Sequence, residues 1–469
     1  MIFSSATFIF AFLPIVLVLY FIPVFKGNPN YETARKNLIL CLASLVFYAW
    51  GEPVYIILML ISIYFNFNIV LDMESDRRNR KKLFILSIVF NILVLGFFKY
   101  FPFLVENINN IFSTNFDTVE LALPVGISFY TFQILSYVID VYRGDCRPQK
   151  SIVSFATYIT MFPQLIAGPI VQYGDIEKQL RKRTVGIRKF SAGVLFFIRG
   201  LGKKVIFANT IGAVYTEITN GDISQLGAVT AWFGIMCYTL QIYFDFSGYS
   251  DMAIGLGKMF GFNLMHNFNF PYCATSIKDF WSRWHISLSG WFRDYVYIPL
   301  GGNRKGNFRT ILNILIVWSL TGLWHGAAWN FVAWGAYYGI LLIAEKYIFS
   351  NLIDRMPKWL RHVFTLIIVI IGWVFFSSAT FADAGTYLRS MFGFGAGLFD
   401  GQTKYILLSN LFPFAVMSCS ALGVFRKFPK IQSSSLRLSV QAIGYAAVFI
   451  LCIVFLVSET YNPFLYFRF

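Results

Sequence analysis

Thr365–Phe376 reads TLIIVIIGWVFF, apolar on every side. A half-buried strand would alternate polar and apolar residues, and a membrane barrel would repeat that alternation in segments of about ten residues. This stretch does neither, so it reads as a helix whose whole surface is apolar, as a membrane span must be. Similar runs recur from end to end of the 469-residue chain, which is 57% hydrophobic and 19% aromatic, 13% charged, with a mean hydropathy of +0.61. No soluble globular domain has that balance. The fold class is therefore an all-α polytopic membrane protein, read as a single membrane-embedded domain over residues 1–469.

Apolar runs between polar breaks place spans at residues 7–25, 37–51, 53–71, 83–105, 121–142, 191–214, 225–244, 310–325, 328–348, 362–377, 404–424 and 438–458. That makes about twelve, or eleven if the pair split only by Gly51, Glu52 and Pro53 is one element. The net charge of +16 would suggest nucleic acid in a soluble protein. Here the cations gather in short loops beside spans, which is the positive-inside pattern and argues against a nucleic-acid partner. Such loops carry Arg77, Arg78, Arg80, Lys81 and Lys82; Arg181, Lys182, Arg183, Arg188 and Lys189; and Arg426, Lys427 and Lys430. They are expected in the cytoplasm, facing anionic membrane lipid. Glu106, Asp117 and Glu120, then Glu217 and Asp222, are expected on the other side, with both termini outside. The first apolar run lacks a charged n-region and a cleavage signal, so it is expected to be a retained span.

Two regions depart from simple spans. FATYITMFPQLIAGPIVQY, residues 155–173, is broken by Pro163, Gly168 and Pro169 and lies between two basic loops. A re-entrant or broken hairpin would keep those loops on one side; a proline-kinked structural helix is the alternative. Residues 246–309 are long and of mixed polarity. On a helix there, Arg283, Ser287, Gly290 and Asp294 share one face and Trp284, Leu288, Trp291 and Tyr295 the adjacent one, as on an interfacial helix ended by Pro299, Gly301 and Gly302.

Chemistry is concentrated in two motifs, WSRWHISLSGWFRDYVYIPLGGNR from Trp281 to Arg304 and GLWHGAAWN from Gly322 to Asn330, which hold His285 and His325, two of the chain's four histidines. A neutral imidazole is suited to taking a proton near neutral pH. A buried histidine satisfied by a local carbonyl is the structural alternative. No HExxH, Cys/His cluster or nearby carboxylate set supports a metal, and no G-x-S-x-G elbow supports a serine hydrolase. The six cysteines have no paired spacing. Gln241, Asp245 and Asp251 form a polar cluster at the expected end of a span; it either orients a histidine or is a buried structural network with a helix cap at Ser247.

RWHISLSGWFRDYVYIPLGGNR and GLWHGAAWNFVAWGAYYG, with QIYFDFSGYSDMAIGLG from Gln241, FPQLIAGPIVQY from Phe162 and the ending PFLYFRF, resemble the membrane-bound O-acyltransferase superfamily. Within it the chain is most similar to the alginate O-acetyltransferase branch. The sister branch that exports D-alanine to teichoic acid shares WHISLS and RDY but departs after the tyrosine, where this chain continues YIPLGGNR. The resemblance implies a ring of about 11–12 transmembrane helices, with re-entrant and interfacial helices around a central tunnel open to both faces. It implies His325 as the general base and His285 as its partner. It implies acetyl-CoA as donor from the cytoplasm, an exported cell-surface polysaccharide as acceptor, extracytoplasmic acetylation proteins as partners, and residence in the bacterial inner membrane. Deprotonating an alcohol needs a base at hydrogen-bond distance, and a thioester carbonyl that gains negative charge needs fixed donors. His285, Trp324 or Asn330 could be such a donor. Arg283, Lys278, Arg304 and Lys305 are candidates for the donor's phosphates or for ordinary anchoring at the cytoplasmic face. Gln241, Asp245, Ser287 and Asp294 are candidates for lining a tunnel or orienting the histidines. A transporter is the rival class, disfavoured because the two halves show no inverted repeat; peptidoglycan or teichoic acid is the rival acceptor.

Overall fold

The computed structural model describes residues 1–23, 29–117, 122–166, 168–427, 433–458 and 465. Glu120, Ala167, Lys430 and the PFLYFRF ending apart from Leu465 lie outside the described residues. Among those described there is no strand. Each expected span overlaps helix among the described residues, and Ala49 and Tyr55 bound two separate helices where one element was the alternative. Four of the described helices are long and apolar enough to cross a membrane by length and composition alone: Tyr55–Ser75, Arg80–Phe112, Lys358–Ser377 and Leu436–Ser458. The chain divides into two compact units, Met1–Phe197 with Tyr249–Met265 and Ile198–Gly248 with His266–Phe469.

In the first unit, Tyr55–Ser75 and Arg80–Phe112 are tied by amides and a hydroxyl. Asn91 Nδ2 and Ser87 Oγ donate to Asn66 Oδ1 at 2.8 and 2.6 Å. Such pairs hold helices together where apolar contact with lipid gives no preference for a neighbour. The segment around residues 155–173 is broken, as its prolines and glycine predict. Ile152–Thr160 stops at Met161, Phe162–Leu165 adds one turn, and Gly168–Gln172 is non-helical before Tyr173–Arg181. The break is buried, and its backbone finds local partners. Ser44 Oγ accepts from the Phe162 N–H at 3.0 Å, and the Tyr158 hydroxyl donates to the Val171 carbonyl at 3.0 Å. Gly168 is required here, because a Cβ on it would sit 2.4 Å from the Cα of Gln164. Arg183 departs from the expectation for its basic loop. Its guanidinium turns inward, donating to Asn37 Oδ1 at 2.6 Å and the Tyr20 hydroxyl at 2.9 Å while lying over the Phe262 ring.

In the second unit, Asn307–His325 and Trp329–Tyr347 pack with their backbones almost touching. A Cβ on Gly322 would meet the Phe331 carbonyl oxygen at 2.4 Å, and one on Gly335 the Trp318 carbonyl oxygen at 2.4 Å. Lys358–Ser377, which contains the opening TLIIVIIGWVFF, packs on Trp329–Tyr347. Thr403–Ala421 and Ser434–Ser458 follow in the chain.

Residues 246–309 correct two expectations. The helix expected to end near residue 244 runs from Ala228 to Met259, so Asp245 and Ser247 sit in its interior and Ser247 caps nothing. The single amphipathic helix is instead two short ones, Ile277–Arg283 and Ile286–Phe292, continued by a π-turn, Arg293–Tyr297. His285 lies between them in the left-handed region, φ 44° and ψ 55°. One helical face therefore cannot contain both Arg283 and Ser287. The chain then leaves this region through a turn with positive φ at Gly301 and Gly302, as expected.

Candidate active site

The site belongs to the second unit and starts from the break at His285. A non-glycine residue at positive φ is strained, and it persists where its surroundings over-determine it. Here Asn267 does so. Its carbonyl accepts from the Ile286 N–H at 3.0 Å, and its side-chain Oδ1 accepts from the Ser287 N–H at 3.0 Å and the Ser287 hydroxyl at 2.9 Å. The same Oδ1 is 3.2 Å from His285 Nδ1. Asn267, His285 and Ser287 are all buried. Burial pushes the His285 imidazole down to about 3, so it is neutral at physiological pH.

His325 ends the helix Asn307–His325, and the chain turns at once through Gly326. A Cβ on Gly326 would overlap the Phe331 ring, so the glycine in LWHGAAWN keeps this turn against the next helix. The imidazole is buried in a cage of rings, with centroids 5.0 Å from Trp324, 5.0 Å from Trp334 and 5.2 Å from Phe376. The Trp324 ring also stands 6.0 Å from His285, whose ring lies 4.6 Å from that of Phe246. One indole thus neighbours two buried imidazoles. Ring contacts surround both imidazoles, which are 1% and 3% exposed.

The remaining candidates take varied places. Asn330 directs Nδ2 to the carbonyls of Ser378 and Phe375 at 2.9 and 3.3 Å, so both amide hydrogens tie down the end of a neighbouring helix. Gln241 is buried over Gly212, where a Cβ would overlap its amide. Asp245 pairs with Lys204 at 2.7 Å, side chains 2% and 3% exposed. Lys204 also donates to Asn209 Oδ1 at 2.9 Å, and Asp245 Oδ2 accepts the Leu465 N–H at 2.9 Å. Asp251 belongs to the first unit. Asp294 pairs at the surface with Arg293 at 2.7 Å. Arg283 is engaged by Asp279 at 2.7 Å, and Arg304 and Lys305 are exposed on the glycine turn. No group of three or more metal-ligating side chains occurs among the described residues.

Lys278 lines a cleft of about 730 Å³ with Lys346, Arg361, Tyr297 and Trp318. Glu345, on the same cleft, accepts from the backbone N–H groups of Ile277 and Lys278 at 2.6 and 3.1 Å and so caps the helix that starts there. Trp318 is ringed by Trp281 at 4.7 Å and Trp334 at 6.0 Å, and Trp334 touches His325. Two neighbouring tryptophans, Trp318 on the cleft and Trp334 on the cage, therefore link the two.

Asn267, Phe246, Trp334, Phe376 and Lys204 were not singled out from the sequence. Asn267 sits in the irregular stretch Asn263–Phe270, where no periodicity assigns a side chain to a face. Lys204 sits beside an apolar run and reads as a positive-inside residue; it lies in the π-turn Lys203–Ala208, which a 3.6-residue pattern does not register, and pairs there with Asp245.

Residues 147–382 match the membrane-bound O-acyltransferase family. The chain is 42% identical over 408 residues to a probable alginate O-acetylase of Pseudomonas aeruginosa, covering 84% of this chain and 75% of that protein. It is 37% identical to a probable alginate O-acetylase of Azotobacter vinelandii over the full length of both. It is also 36% identical to a peptidoglycan O-acetyltransferase of Helicobacter pylori, over 84% of this chain and 80% of that one.

Proposed function

The chain belongs to the membrane-bound O-acyltransferase family, an acyltransferase held in a membrane, and on that premise we propose that it transfers acetyl groups from acetyl-CoA to hydroxyls of an exported, alginate-like polysaccharide. The observation that supports this reading is the pair of buried imidazoles that both neighbour Trp324. His325 takes the proton of the attacking hydroxyl. Its oxygen bonds to the thioester carbonyl carbon, the carbon–sulfur bond breaks, and the imidazolium returns the proton to the leaving thiolate. The ring cage supplies dryness and orientation for that base.

The acetyl-CoA substrate approaches from the cytoplasm under the positive-inside threading. Lys278, Lys346 and Arg361 of the cleft then face its phosphates, with Arg304 and Lys305 on the nearby turn. Trp318 and His325 lie seven residues apart on one helix, about 10 Å along its axis. The acetyl group has that distance to cover between cleft and base. In this reading the enzyme resides in the bacterial inner membrane and hands acetyl groups to the polymer directly or through extracytoplasmic acetylation proteins.

Replacing His325 by alanine in cells, with protein abundance matched by blot, tests the assignment. Polymer acetyl content measured by NMR should fall to background, a loss of roughly 10²- to 10⁴-fold in rate for a general base. Unchanged acetylation overturns it. The likeness to the peptidoglycan O-acetyltransferase favours a second acceptor, and the same comparison made on isolated peptidoglycan decides between the two polymers.

A further inference from the structure

We propose that Asn267 is a positioning residue that fixes His285 in the tautomer with its hydrogen on Nδ1, so that Nε2 acts as a hydrogen-bond acceptor toward a sugar hydroxyl beside the attacking one and not as a donor to the developing oxyanion. The role toward substrate rests on the transfer reaction proposed above; the tautomer does not.

The geometry fixes each atom in turn. The Ser287 backbone N–H can only donate, so the side-chain atom of Asn267 that it meets at 3.0 Å is the carbonyl oxygen and the amide is not reversed. The Ser287 hydroxyl donates to that same oxygen at 2.9 Å. An amide oxygen has lone pairs only. His285 Nδ1, 3.2 Å away, therefore carries a hydrogen and donates to it. The ring is neutral in its buried surroundings, so its second nitrogen carries no hydrogen. The ring is packed against Phe246 at 4.6 Å and Trp324 at 6.0 Å, and turning it over would put a C–H in place of Nδ1 against the Asn267 oxygen and lose that hydrogen bond. A thioester oxygen gains electron density during transfer and seeks a donor, which Nε2 in this state cannot be. A hydroxyl has a hydrogen to give. His285 then accepts from a sugar hydroxyl beside the attacking one and so holds the acceptor, while His325 removes the proton of the hydroxyl that attacks.

With four histidines in the chain, selective ¹⁵N-histidine labelling of the full-length protein in detergent resolves this directly. The His285 resonances are identified by their loss in His285→Gln. The expected spectrum has a protonated Nδ1 and an unprotonated Nε2. A protonated Nε2 overturns the inference, whatever the activity. Asn267→Asp keeps the acceptor oxygen and should keep both the tautomer and most of the turnover. Asn267→Leu should lose the Nδ1–H signature and lower kcat more than it raises KM, by roughly 10- to 10⁴-fold, the upper end being the loss that a wrong imidazole tautomer causes in a serine-protease triad. Equal activity and an unchanged His285 spectrum in Asn267→Leu also overturn it. The wild-type spectrum decides the tautomer even where the leucine variant fails to fold. If His325→Ala retains full acetylation, the reaction reading fails while the tautomer assignment stands, so the two are separable.

Discussion

A charge removed from water is costly unless its partner comes with it, and Lys204 and Asp245 are both nearly sealed off at 2.7 Å. Removing either partner leaves the other uncompensated. Asp245→Leu is therefore expected to destabilise the protein by about 3–5 kcal/mol, seen as a lowered Tm in detergent, whereas adding Lys204→Met should recover much of that loss. Asp245→Leu with an unchanged Tm would show that the pair contributes nothing. Asp245 also accepts the Leu465 N–H, so the single variant should loosen the chain end, read as faster trimming by carboxypeptidase. The sequence marks Asp245 as unusual because an acid beside YF and FSG has no solvent to face. It does not mark Lys204 as its partner, since 41 positions separate them and one more lysine beside a span looks ordinary. His285 and His325 were legible for a different reason: each sits in a long motif whose flanking residues are as informative as the histidine.

At the scale of helices, the close pair Asn307–His325 and Trp329–Tyr347 depends on the absence of side chains at its crossing. Gly322→Ala would place a methyl 2.4 Å from the Phe331 carbonyl oxygen, which is backbone and cannot step aside. The helices must separate, at a cost of about 1–3 kcal/mol by the usual penalty for overpacking. Gly322 lies one turn before His325, so activity should fall further than stability does. A matched control is Gly290→Ala, where nothing stands within 4 Å of the added atom. Equal Tm and equal transfer rates for the two variants would refute the close-packing account. Helix positions were legible here because apolar length alone sets them. The helix through Trp284 was not, because periodicity describes an uninterrupted rod. It has no way to register that Asn267, 18 residues upstream of His285, bonds the chain at 286 and 287 and breaks the rod. The tertiary hydrogen bonds outweigh a helical preference worth at most a few tenths of a kcal/mol per residue at these positions.

For the whole molecule, charge asymmetry is the one signal that orients a chain of apolar helices, and it is sequence information that packing does not supply. Threading the cationic loops inward places Asn79, between Arg78 and Arg80, in the cytoplasm, and Asn220, between Glu217 and Asp222, outside. It also places the His325 end of its helix outward and the Lys278–Arg361 cleft inward, the arrangement that the proposed transfer requires. Arg183 weakens the rule locally, since a cation held by Asn37 and Tyr20 is anchored by protein and would stay put on either side. The orientation therefore rests on the loops whose cations are exposed. Single cysteines at Asn79 and Asn220, each on a background lacking the six native cysteines, test it with a membrane-impermeant maleimide. Intact cells should label Asn220→Cys and spare Asn79→Cys, and permeabilised cells should label both. Labelling of both sites in intact cells would remove the opposed-face arrangement, and with it the cytoplasmic route for the donor, while leaving the pairing of His285 with Asn267 untouched.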